Sequence, residues 1–199
     1  MPIHYAGRRP NVSKAFGFFD EQGVLVAVCT FGKPASPPLC VGLMGPQYAP
    51  HIYELNRLCK HPTYTGQLSA FVAIALRKLK PLNWVIVSYA DTEMNHHGYI
   101  YQATNWLYTG ATKSRTDKFT EGNKHPRHYQ DNTPQKRKVR SSKHRYVYLC
   151  SHSKHLKAEW LKNLKYPVQP YPKGDNKYYQ PGYQLQPTVL ENPDPNITP

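Results

Sequence analysis

Apolar positions along this chain fall first into short β-branched runs and then into one helical stripe. Val24 to Phe31 (VLVAVCTF) is such a run, and the turn signal Glu21-Gln22-Gly23 before it predicts a hairpin with Lys14 to Asp20. Gly32 to Pro50 is crowded with proline and glycine and reads as a loop or broken edge without a regular element. Ile52 to Cys59 (IYELNRLC) reads as a strand, its alternation placing Tyr53, Leu55 and Arg57 on one face and Glu54, Asn56 and Leu58 on the other. Gly66 to Leu79 carries Leu68, Phe71, Val72, Ala75, Leu76 and Leu79 at helical spacing and stops before Pro81. Trp84 to Ser88 (WVIVS) is continuously apolar, as in a central strand covered on both faces, and leads into Tyr89-Ala90-Asp91. Strand, helix and strand in that order predict a βαβ unit with parallel strands.

A second helix is expected over Gly98 to Asn105, then short strands at Trp106 to Thr109 and Tyr146 to Cys150 and a basic helix at His155 to Leu164. The expected fold is α/β (α+β), a mixed central sheet flanked by helices. It occupies residues 1–165 as one domain, with a Pro/Tyr-rich extension over 166–199 that wraps the surface or is disordered. At 199 residues with 39% hydrophobic positions, the chain is long enough for one sizeable core.

Charge changes the picture. Lysine and arginine total 26 against 12 acidic residues, giving a formal net charge of +14, so a polyanion is the expected partner and DNA leads. No apolar stretch approaches the ~18 residues of a spanning helix, and no apolar run follows Arg8 and Arg9, so neither membrane insertion nor secretion is expected and the location expected is the cytoplasm. Cys29, Cys40, Cys59 and Cys150 are scattered without a CxxC pair and read as reduced thiols filling the core. The segment 113–145 holds eleven Lys or Arg against three acidic residues, and this excess would repel itself without a partner. It reads as a basic insertion contacting DNA phosphates through Lys113, Arg115, Lys124, Arg127, Lys136, Arg137, Lys138 and Arg140. The interleaved Lys124-His125-Pro126-Arg127-His128-Tyr129 also suits stacking on an unpaired base.

Asp91 is the leading candidate carboxylate, because open α/β sheets place ligands at the C-terminal ends of their strands; the competing reading is that it opens a turn. Tyr99 and Tyr101 cannot share a helix face, so only one of them points inward, either as a proton donor or as a packed ring. His96-His97 lacks a third ligand at a recognised zinc spacing. The absence of GxGxxG after a strand, of GxxxxGK[ST], of HxE with PCxxC and of an Asp/Asn-Pro-Pro-aromatic motif disfavours dinucleotide oxidoreductases, P-loop enzymes, zinc deaminases and amino-methyltransferases.

Glu54-Leu-Asn-Arg-Leu, Ser88-Tyr-Ala-Asp91, His97-Gly-Tyr-Ile-Tyr-Gln-Ala-Thr-Asn-Trp106 and Tyr108-Thr-Gly110 together resemble the phage Mom family. The likeness covers about Tyr53 to Thr112, with weaker echoes in His4-Tyr5 and after Lys165. It implies a GNAT acetyltransferase-like fold in which Tyr101-x-x-x-Asn105-Trp106 stands where those enzymes show Tyr-x-x-x-Gly-Phe, favouring Tyr101 as the inward tyrosine. The glycine-rich pyrophosphate loop usual in that fold is reduced here to Tyr64-Thr-Gly-Gln-Leu-Ser69. The implied activity adds a carbamoylmethyl-type group to the exocyclic amine of adenine in DNA and hides sites from restriction. Catalytic roles would fall on Asp91, Tyr101, Arg57 and Ser69. Acetyl-CoA would be held by Leu58, Gly66, Gln67, Leu68, Ser69 and Asn105, and Fe(II) by His4, Tyr5, Asp91 and Tyr101, an oxygen-rich set. An ordinary GNAT enzyme acetylating a small amine or protein, and a non-enzymatic DNA binder, are the alternatives.

Overall fold

The computed structural model describes residues 10–62, 64, 66–118, 137–174 and 189–190. The predicted hairpin is present as β1 (Lys14–Phe19) and β2 (Leu25–Gly32), paired antiparallel. Its turn is fastened by Asp20, whose Oδ1 accepts the backbone N–H of Gln22 at 3.1 Å and of Val24 at 2.8 Å. The following stretch is not a loop throughout, because α1 spans Pro37–Met44 and a 3-10 turn spans Pro46–His51. Pro37, Pro38 and Pro46 sit at the start of these helices, where their missing N–H costs nothing, while Pro50 lies inside the 3-10 turn. Gly45, at φ +109°, ends α1.

β3 (Ile52–Lys60), α2 (Leu68–Leu79) and β4 (Trp84–Asp91) form the expected βαβ unit, with β3 and β4 parallel. β4 runs three residues beyond the predicted Ser88 and includes Asp91. α3 (Tyr99–Ala103) is shorter than predicted, and β5 (Leu107–Ala111) follows it. The described part of the basic insertion forms a second sheet, in which β6 (Arg115–Lys118) pairs with β7 (Arg137–Arg140). β8 is Lys143–Cys150, so Lys143, His144 and Arg145 belong to the central sheet rather than to the insertion. α4 (Lys154–Asn163) is the predicted basic helix, its first turn capped by Ser153 Oγ accepting from Leu156 N at 3.2 Å. β9 (Val189–Leu190) pairs with β7.

The main sheet has six strands in the order β1-β2-β3-β4-β8-β5 and is antiparallel except at β3-β4. Its middle strand explains the continuous apolar run. Trp84, Ile86 and Ala90 enter one core layer with Phe71, Val72, Leu76 and Trp106, while Val85 and Val87 enter the other with Leu43, Met44, Ile52 and Trp160. The predicted alternation along β3 fails at one point. Thr30 pairs with Arg57 but Phe31 pairs with Leu55, so Asn56 is the extra residue of a bulge. Leu58 therefore packs with Tyr53 and Leu55 instead of facing away from them. Asn56 is held in the bulge by Thr30 Oγ1, which donates to its Oδ1 at 2.6 Å, and by Asn11 O, which accepts from its Nδ2 at 2.8 Å.

Residues after α4 run across the outer edge of β5. Gln169 N donates to Tyr108 O at 2.9 Å, Tyr171 Oη donates to Trp106 O at 2.7 Å, and the Arg145 guanidinium lies 3.4 Å over the Tyr166 ring. Cys29, Cys40 and Cys150 are buried and free, as expected of core thiols, while Cys59 is free but only half-buried, and burial pushes Cys29 and Cys150 up to about 12. At pH 8 these two thiols are expected to resist alkylation in the folded protein and to react once urea unfolds it; mass mapping of the labelled cysteines measures this.

Candidate functional site

The parallel ladder between β3 and β4 comprises three residue pairs, Ile52 with Val85, Tyr53 with Ile86 and Glu54 with Val87. Beyond them the strands part. Leu55 and Ser88 are the first residues past the last pair, and there a side chain takes over from the backbone: Ser88 Oγ donates to Leu55 O at 2.8 Å. The same Oγ lies 2.8 Å from the hydroxyl of Tyr101. A serine has one proton, so while it donates to Leu55 it accepts from Tyr101. Ser88 is only 2% exposed, and a buried hydroxyl in an apolar strand persists because both of its partners are in place.

Tyr101 reaches this point from α3. Gly98 precedes the helix at φ +80°, where a Cβ would stand 2.3 Å from the Tyr146 ring, so both the conformation and the close approach require glycine. The Tyr101 ring packs 5.1 Å from Trp106 and 5.0 Å from Tyr146, centroid to centroid. Tyr99, by contrast, is 61% exposed, so Tyr101 is the inward tyrosine of the pair. Burial pushes the Tyr101 hydroxyl up to about 12, and the charge of Glu54 adds to the rise. At neutral pH it is a protonated donor. Around it, Gln102 Nε2 donates to Tyr146 Oη at 3.0 Å and to His97 O at 2.9 Å, and Tyr146 Oη donates to His97 O at 2.5 Å.

Asp91 has a different set of partners. It is the last residue of β4 and stands directly opposite Lys143 of β8, so the two side chains form a cross-strand ion pair through Oδ2 and Nζ. Ser141 Oγ donates to its Oδ1 at 2.5 Å, and Glu93 N donates to the same oxygen at 3.2 Å. Burial pushes the carboxyl upward, but the hydrogen bonds from Lys143 and Ser141 and the charge of Lys143 outweigh it and hold it below its ordinary value. His96 N bonds to Asp91 O at 3.0 Å, so Asp91 also opens the turn that leads to α3. Among the described residues Asp91 and Tyr101 share no hydrogen-bond partner.

The remaining expected positions scatter more widely. Arg57 lies on β3, with Nη1 donating to Asn56 O at 2.6 Å. Leu68 and Ser69 form the first turn of α2, Gln67 is its N-cap without a side-chain hydrogen bond, and Gly66 precedes it. Leu58 packs on the core, and Asn105, at φ +60°, closes α3 with its N–H on Gln102 O at 3.1 Å. Lys113, Arg115, Arg137 and Arg140 are exposed and Lys138 is partly so. Asp117 links two of them, 3.5 Å from Arg115 Nε and 3.0 Å from Arg140 Nη1. His4, Tyr5, Lys124, Arg127 and Lys136 lie outside the described residues. His97 and His144 rings sit 5.8 Å apart, but no group of three or more His, Cys, Asp or Glu among the described residues is placed to hold a metal ion.

A family model described as the Mom protein family matches residues 1–173. The chain belongs to the Mom family. It is a DNA-modification protein of bacteriophage type, and DNA is its partner. No curated protein matches the chain. The match takes in the whole Mom-like block from Tyr53 to Thr112, the base of the basic sheet and the segment over β5, and it ends before β9. No helix among the described residues is long and apolar enough to cross a membrane.

Sequence reasoning passes over Ser88, Ser141 and Lys143 as site residues. Ser88 carries a signal, as the one hydroxyl at the end of WVIVS. Lys143 carries none, because its pairing with Asp91 depends on a register between strands 52 residues apart. Replacing Gly98 with alanine is expected to destabilise the fold by about 2 kcal/mol, since it adds both left-handed strain and a clash with Tyr146. Urea unfolding of the variant beside the wild type measures it.

Proposed function

We propose that this Mom-family protein transfers an acetyl-CoA-derived, carbamoylmethyl-type group to the exocyclic amine of adenine in DNA. The observation that carries the reading is the protonated Tyr101 seated by Ser88 at the point where β3 and β4 part. A parallel pair that opens between two antiparallel wings, with a helix crossing between its strands, is the arrangement expected of a GNAT-like fold.

Acetyl-CoA would supply an activated two-carbon unit, and the local chemistry suits such a guest. β3 beyond Glu54 has lost its β4 neighbour, and the wedge between the two strands would admit an extended ligand, although Leu55 O is already taken by Ser88 and Asn56 O by Arg57. α2 starts beside it with no side-chain cap and no acidic residue in its first turn, which favours an anionic pyrophosphate at Leu68 and Ser69. Tyr101 would donate its proton to the thiolate released when the thioester breaks, Ser88 accepting from the phenol beforehand; joining the adenine nitrogen to the methyl carbon would in addition consume a two-electron oxidant, and the terminal amide an ammonia-level nitrogen donor, as co-reactants. Gln102 and Tyr146 keep α3 fixed against β8, so the donor is preorganised.

Fe(II) fits less well. Both oxygens of Asp91 are engaged, one by Ser141 and the other by the Lys143 ammonium, which occupies the position a metal cation would take. Tyr101 holds its proton and bonds to Ser88. These donors do not form an iron site as they stand, and iron has no step in this reading.

Adenine in duplex DNA keeps its amine inside the base pair, so the base must be flipped out or caught unpaired. Arg115, Arg137, Lys138 and Arg140 on β6 and β7 would hold the backbone meanwhile. The reaction would take place in the host cytoplasm and protect phage DNA from restriction.

Nucleosides from cells expressing the protein are expected to contain a carbamoylmethyl-type adenine adduct by mass spectrometry. Tyr101→Phe, which keeps the ring and removes the hydroxyl, should abolish it. Unmodified DNA from wild-type cells, or an adduct with only acetyl mass, would refute the proposed chemistry. Purified protein should bind duplex DNA with steep salt dependence, and replacing Arg137, Lys138 and Arg140 with glutamine should flatten the log-log slope by about 0.9 for each phosphate no longer neutralised.

A further inference from the structure

The two legs of the β6–β7 pair leave the central sheet at Thr112 and return through Ser141 and Ser142 to β8. The Thr112 leg is tied to β8, with Thr112 N donating to Lys143 O at 2.9 Å and Lys143 N donating to Thr112 Oγ1 at 2.9 Å. The returning leg is tied to β4. Ser141 Oγ donates to Asp91 Oδ1 at 2.5 Å, and Lys143 Nζ pairs with Asp91 Oδ2. Next in sequence, Thr92 Oγ1 donates to Ser142 O at 2.7 Å and lies 2.9 Å from Ser142 Oγ, and Thr92 N donates to Ser142 O at 3.3 Å. Ser141 and Ser142 belong to neither sheet, so these bonds are what direct that leg.

The geometry points to Asp91 as the anchor of the basic β6–β7 pair: its carboxylate, with Thr92, fixes the direction in which that pair leaves the sheet and so sets how firmly the protein grips DNA. This rests on the reading of β6 and β7 as the surface that meets DNA. Asp91 is then a positioning residue for DNA as well as a candidate for the chemistry. A bystander carboxylate that merely neutralises Lys143 would have a different signature, and the two differ in sign. Asp91→Asn removes one negative charge from a protein that binds a polyanion. By long-range electrostatics alone, affinity for DNA should rise. If Asp91 anchors the pair, the variant lets it wander and affinity falls, because only the fraction of molecules with the pair correctly directed can bind.

The experiment measures duplex affinity at fixed salt for wild type, Asp91→Asn, Ser141→Ala and Tyr101→Phe, alongside hydrogen exchange of peptides covering residues 137–143 in the free proteins. Asp91→Asn should bind about tenfold more weakly despite its added positive charge, and Ser141→Ala, which leaves charge unchanged, about two- to threefold more weakly. Both should exchange faster over 137–143, whereas Tyr101→Phe should match the wild type in both readouts. Asp91→Asn binding as tightly as wild type or tighter, or unchanged exchange in both anchor variants, would overturn the inference while leaving the DNA-modification reading intact. Ser141→Ala guards against a folding defect in the aspartate variant, since loss of one partly exposed hydroxyl spares the fold. A wild-type protein that binds no duplex would instead remove the DNA reading, and this inference with it.

Discussion

A parallel pair that holds for only three residues is the constraint on which the rest of this structure depends. Because β3 and β4 are fastened at one end and part at the other, each must find other company beyond Glu54 and Val87. β3 keeps β2 on its far side and bends at the Asn56 bulge, while β4 keeps β8 along its full length from Trp84 to Asp91. The wedge between them is bridged by one buried hydroxyl, that of Ser88, whose second contact fixes Tyr101. A serine there does what no apolar residue of the same size could, for it satisfies a stranded carbonyl and orients a phenol at once.

The far end of β4 shows the same economy with charge. Asp91 is buried enough to be costly as a lone ion, and the cross-strand lysine and the serine beside it offset that cost. Both partners come from the segment that leads out of the basic sheet, so the strand that ends at the candidate chemistry and the basic strands proposed to meet DNA share one fastening. Asp117 plays a smaller version of this part within the basic sheet, holding Arg115 and Arg140 on one side of the strands.

Much of this is legible in the sequence where local pattern decides structure. The hairpin, the α2 stripe, the continuous run of β4 and the parallel βαβ unit are predicted at nearly their observed bounds, because each is written in the periodicity of its own residues. The misses share a cause. Pro37 and Pro46 read as breakers because a proline opens a helix only when the residues downstream of it coil. Strict alternation puts Leu58 on the wrong face because a bulge is a property of two strands, not one. Lys143 is counted with the basic segment 113–145 because its register against Asp91 is set by chain closure over a long insertion. Tyr101 is separable from Tyr99 only through the family likeness, since helical spacing says that the two diverge without saying which turns inward.

The segment crossing β5 has a consequence for how copies of the protein meet. Gln169 and Tyr171 occupy backbone groups along that margin of the six-stranded sheet, while β1 has no strand beyond it among the described residues and carries exposed Phe18 and Phe19. A sheet with one margin closed has a valence of one. Joining at β1 would use that valence up, and among the described residues this sheet would then have no second open margin to offer a third molecule.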